Sequence, residues 1–155
     1  MKSGAINIDD YIGGAPEEQF DFIYTHFSII KNLLIDYKED LVSEVMEQKA
    51  YNRRAANGEL GVRVQISIGI SKPTEKQAIS HTMIEKAIVE GVLDDDFFED
   101  TDDQEELIRK VTCYHAVSED LKTFTKKLGS MEQRDQKILK PYLMGQKSMS
   151  DLADE

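Results

Sequence analysis

The sequence predicts a mainly α protein: long amphipathic helices packed as a helical bundle or helical dimer, one extended β-like arm, and two short capped helices at the C-terminus. Three observations carry this reading. Two separate stripes of apolar residues step by three and four over about six or seven turns each. One segment alternates with period two instead. With 40% hydrophobic and 32% charged residues the 155-residue chain has the material for a core, which argues against wholesale disorder.

The first helix is announced by Pro16, Glu17 and Glu18, since proline suits the first helical turn and acids complement its exposed amides. Its stripe runs through Phe20, Ile23, Phe27, Ile30, Leu34, Tyr37, Leu41 and Val45, which predicts one continuous helix. A helix of that length must lie along another long helix, in this chain or in a second copy, or the stripe stays wet. Val62, Val64, Ile66, Ile68 and Ile70 then alternate with polar residues and glycine, predicting an extended arm over 61–71. Pro73 ends it. Thr74 and Gln77 have the spacing of a capping box for a helix over about 75–90, with Ile79, Met83, Ile84, Ala87 and Ile88 as its apolar face.

The stretch VLDDDFFEDTDDQEE shows no helical or strand period in its charges and reads as an acidic linker, 94–106, with Phe97 and Phe98 as a small apolar anchor. The second stripe follows at Leu107, Val111, Tyr114, Val117, Leu121, Phe124 and Leu128, and Gly129 stops it. Ser130 and Gln133 form another capping-box pair, opening a helix with Met131, Ile138, Leu139 and Tyr142. Pro141 predicts a kink or an end close to Lys140. Gly145 turns the chain, and Ser148 with Asp151 caps a last short helix on which Leu152 and Ala153 point inward. The expected organisation is an N-terminal helical assembly region over 1–93, the linker, and a C-terminal helical region over 107–155.

Charge is distributed unevenly. The net charge of −11 argues against a protein that coats nucleic acid over its whole surface. Yet residues 121–149 carry seven bases, Lys122, Lys126, Lys127, Arg134, Lys137, Lys140 and Lys147, against Glu132 and Asp135, while 90–106 hold ten acids and no base. The N-terminal MKSGAINIDD has no apolar run of signal-peptide length and no run of 18 apolar residues occurs, so the expectation is a cytoplasmic protein without membrane association.

Catalytic signals are sparse, and no enzyme activity or cofactor is expected. His26, His81 and His115 are scattered; His81 and Glu85 share a helix face, but two ligands do not make a metal site. Cys113 reads as a buried structural thiol rather than a nucleophile. An EF-hand loop begun at Asp94 would place Glu99 where a glycine is needed, so no metal is expected there.

The tail LGSMEQRDQKILKPYLMGQKSMSDLADE is the most informative segment. It resembles the sigma-factor region-four type of helix-turn-helix, with Arg134, Ile138, Leu139, Tyr142, Gly145, Ser148, Leu152, Ala153 and Glu155 in the matching places. Upstream, GVRVQISIGISKPTEKQAI, with Gly61, Val64, Gln65, Ser67, Pro73, Thr74 and Ala78, resembles the middle of RinA and ArpU-like phage transcriptional regulators. The resemblance implies a phage or prophage transcriptional regulator, an activator of a late operon in a bacterial host. It would form a homo-oligomer, with promoter DNA and RNA polymerase as partners. The helix-turn-helix is partial, because in that family a recognition helix follows the position where this sequence stops. The same resemblance nominates Gln146, Lys147 and Ser148 for phosphate contact, with Lys126, Lys127, Arg134, Lys137 and Lys140 adding to the field. The competing reading is an acidic helical adaptor or inhibitor that holds a basic protein partner with the 90–106 segment and binds no DNA.

Overall fold

The structure is a computed structural model that describes residues 6–58 and 75–154. These form seven α-helices: α1 (Pro16–His26), α2 (Ile30–Ala56), α3 (Glu75–Glu90), α4 (Asp95–Phe98), α5 (Gln104–Gly129), α6 (Gln133–Leu143) and α7 (Met149–Ala153). No strand occurs among the described residues, and the fold is mainly α as expected. The arm expected over 61–71 and the Thr74 cap lie outside the described residues.

The single first helix is corrected to two. Thr25, His26, Phe27 and Ser28 are all poor helix formers, and the chain turns at 27–29 before α2 resumes at Ile30. His26 Nδ1 lies 2.8 Å from the Phe22 carbonyl, and the Ile29 amide donates to the His26 carbonyl at 2.9 Å, satisfying one of the acceptors left over at the end of α1. The turn keeps the phase of the stripe, so Ile23 and Ile30 are both buried on either side of it.

The described residues fall into two compact units. One is made of the residues up to Tyr37 together with those from Thr112 onward, that is α1, the first turns of α2, most of α5, α6 and α7. Its core joins Ile8, Tyr11, Ile23, Ile30 and Leu34 to Cys113, Val117 and Leu121 of α5, so here the two stripes cover each other within one chain. Cys113 is fully buried and its thiol donates to the Asp9 carbonyl at 3.3 Å. Phe20, at the start of the first stripe, is 54% exposed.

The other unit is Lys38–Val111. Leu41, Val42 and Val45 of α2, Ile84 and Ile88 of α3, Phe97 of α4, and Leu107 and Val111 of α5 are its buried apolar residues. Of the expected face of α3, Ile84 and Ile88 are buried and Ala87 half-buried, whereas Ile79 and Met83 are 53% and 61% exposed. The acidic stretch contains α4, capped by the Asp94 carboxylate, which accepts from the Phe97 amide at 2.9 Å. Lys49, one turn beyond Val45 on α2, is buried, and its ammonium donates to the carbonyls of Asp96 and Glu99. Asn52 donates to the Asp100 carbonyl at 2.9 Å, and Arg53 pairs with the Asp100 carboxylate at 2.8 Å. Asp100 itself is left-handed, with φ of 61°. Desolvation is the main reason the Lys49 ammonium is less basic than a free lysine; Arg53 adds to this, and the nearby acids oppose it.

Candidate nucleic-acid interface

The first unit holds the basic residues of the C-terminal segment. α5 ends with Lys126 and Lys127 in its last turn, where cations complement the exposed carbonyls, and both side chains are exposed. The Ser130–Gln133 capping box does not form. Ser130 Oγ instead donates back to the Lys127 carbonyl at 2.8 Å, and Gln136 Nε2 donates to the carbonyls of Gly129 at 3.0 Å and Met131 at 2.8 Å. These bonds finish α5 and tie α6 to its end. Glu132 is the N-cap of α6.

α6 runs through Pro141 to Leu143, so of the kink or end expected close to Lys140, the end does not occur. Its closure is a Schellman motif: the Gly145 amide donates to the Tyr142 carbonyl at 2.9 Å and the Gln146 amide to the Pro141 carbonyl at 2.8 Å. Gly145 sits at φ +69°, the left-handed conformation that glycine adopts without a Cβ penalty. Ser148 then starts α7 with a reciprocal box: its hydroxyl accepts from the Asp151 amide at 3.3 Å, and the Asp151 carboxylate accepts from the Ser148 amide at 2.8 Å. The Ser148 hydroxyl also donates to that carboxylate, and these bonds hold Asp151 below the usual carboxylate pKa range. Two short helices meeting at a tight bend near Gly145 are thus present. Leu152 is half-buried, but Ala153, expected inward, is exposed.

α6 is divided lengthwise. Leu139, Tyr142 and Leu143 face inward, with the Tyr142 ring packed against that of Tyr24 of α1. Arg134, Lys137 and Lys140 step by three around the opposite, exposed face. Lys140 Nζ donates to Gln136 Oε1 at 2.8 Å. Among the described residues, neither Lys126, Lys127, Arg134 nor Lys137 forms an ion pair. Gln146 and Ser148 are exposed at the bend, whereas Lys147 is half-buried. All eight nominated residues therefore lie on one stretch of one unit, from the end of α5 to the start of α7. Exposed apolar side chains stand among them: Met131, Ile138, Met144 and Met149 are 44 to 63% exposed.

Sequence reasoning missed a cavity of about 450 Å³ in the same unit, between α1, the end of α5 and α6, with Phe20, Tyr24, Phe124, Leu128, Met131 and Leu139 on its wall. Elsewhere among the described residues, no three His, Cys, Asp or Glu side chains are grouped to hold a metal ion, and no helix is long and apolar enough to cross a membrane. No protein-family model, curated protein or solved structure matches the chain.

Proposed function

We propose that the protein is a transcriptional regulator of the phage or prophage type, an activator that works by binding promoter DNA and RNA polymerase and catalyses no reaction. The observation that supports this reading most is the exposed face of α6 with its Gly145 bend. Three bases, Arg134, Lys137 and Lys140, point away from the core on a helix whose other face is anchored by Tyr142 and Leu143. A rigidly held row of cations is suited to successive phosphates, and contacts of this kind supply affinity and orientation without reading sequence. The exposed Ile138, Met144 and Met149 on the same motif favour a protein contact as well, in keeping with a role on polymerase. In this reading the bacterial cytoplasm is the site of action and the protein works as a homo-oligomer.

The test is duplex binding by fluorescence anisotropy across a salt series. The reading expects affinity to fall as salt rises and Arg134→Glu with Lys137→Glu to weaken binding at least tenfold, with a salt slope lower by about 2. Salt-independent affinity, or indifference to the double charge reversal, would count against it.

A second reading, the acidic adaptor, is favoured by the folded state of the acidic segment. Asp95, Asp96 and Glu99 keep exposed side chains while the backbone carbonyls of Asp96, Glu99 and Asp100 are held by α2. Replacing Asp94, Asp95 and Asp96 by Asn should abolish capture of a basic protein partner; retention of the partner excludes the segment.

A further inference from the structure

The cavity between α1, the end of α5 and α6 has the size and lining of a small-molecule site. Its volume, about 450 Å³, falls in the range of pockets that take drug-sized ligands. The wall is apolar and aromatic, from Phe20 and Tyr24 of α1, Phe124 and Leu128 of α5, and Leu139 of α6. The core of the unit is closed without this space: Ile23, Val117 and Leu121 are buried, while Phe20 on the cavity wall stays half out in solvent.

Charge on the wall is confined to two residues of α5, Asp120 and Lys127. Seven residues apart, they are about 10 Å from each other along the helix axis. The Asp120 carboxylate is already engaged, accepting the Tyr11 hydroxyl at 2.8 Å. Lys127 forms no ion pair among the described residues and is exposed at the other end. A cavity with a greasy middle, an accessible cation at one end and a satisfied acid at the other selects one polarity of ligand.

We infer that this cavity binds an amphiphilic carboxylate of medium chain length, its anionic head paired with Lys127 and its neutral tail lying on Phe20, Phe124 and Leu139 towards Tyr11. This site does not depend on whether α6 meets DNA. Because Leu139 lies on its wall, the occupant would touch α6 from behind its basic face.

Calorimetric titration of the full chain tests it, with decanoate, decanol and decylammonium below their micelle-forming concentrations as probes. Decanoate should bind saturably at one site and at least tenfold more tightly than decylammonium. Lys127→Met should reduce decanoate to the affinity of decanol, and Thr123→Trp, from an exposed position on the wall, should fill the cavity and abolish binding of all three. Lys127→Glu should invert the preference between decanoate and decylammonium. Decylammonium binding as tightly as decanoate to the unaltered chain, or unchanged affinity in both Lys127 variants, overturns the proposal. Light scattering adds a separate check: self-association that Thr123→Trp abolishes and decanoate does not compete with would assign the cavity to a second copy instead.

Discussion

The Gln146 amide donates to the Pro141 carbonyl at 2.8 Å, reaching back across Gly145 to close α6 and set the direction in which the chain leaves for α7. The bond exists because Gly145 takes φ +69°, where a side chain with a Cβ is strained. Gly145→Val should therefore cost about 1–2 kcal/mol of stability in chemical denaturation. It should also displace the amide resonances of Gln146 to Asp151 while leaving α3 and α4 unchanged. Wild-type stability together with unmoved α7 resonances would show that the bend does not depend on this glycine.

Lys49 supplies the second case. Its ammonium donates to two carbonyls of the α4 segment from a position 7% exposed. Lys49→Met keeps the apolar stem but strands both acceptors, so a loss of about 2 kcal/mol is expected. Amide exchange over 95–102 should rise with it. If exchange there stays at the wild-type rate, the acidic segment is held by Phe97 alone.

The α7 cap gives a pH dependence of definite sign. Asp151 has a folded-state pKa below its ordinary 3.8, chiefly because the Ser148 hydroxyl, and then the Ser148 amide, donate to it. A depressed carboxylate stabilises the fold above its unfolded pKa, and that contribution disappears as the pH falls through the folded value. The α7 amide resonances should therefore keep their helical shifts at pH 5 and lose them only below pH 3.8, the ordinary Asp value. In the Asp151→Asn variant the loss should already be present at neutral pH. A cap that persists in that variant would show that the carboxylate's charge is not needed.

The long periodic elements were legible in the sequence, and so was the one expected capping box that forms among the described residues. The α5 stripe is buried at Leu107, Val111, Val117, Leu121 and Leu128, and Ser148 and Asp151 form the box their spacing implies. Non-local arrangements were not legible. The turn at 27–29 preserves the helical phase, so periodicity alone runs straight through it. Ser130 has the spacing of an N-cap, but its hydroxyl is closer to the end of α5 and bonds there. Lys49 stands at the next inward position after Leu41, Val42 and Val45. A cation on a buried stripe was the visible sign that something acidic or carbonyl-rich would cover it, and the segment whose composition reads as a linker does so. For the candidate interface, residue identity and the bend could be read in advance. The cavity could not, because α1 meets α5 and α6 there from positions about 100 residues away in the chain.

Whether the stretch from Lys126 to Ser148 is the face that meets nucleic acid is measured directly by amide-resolved NMR titration of the full chain with a short DNA duplex at low salt. The largest shift changes should fall on Lys126, Lys127, Arg134, Lys137, Lys140 and the Gln146–Ser148 bend, and they should reverse on adding salt. Changes centred on α3 or on the acidic α4 segment, or none at any ratio of DNA to protein, would contradict it.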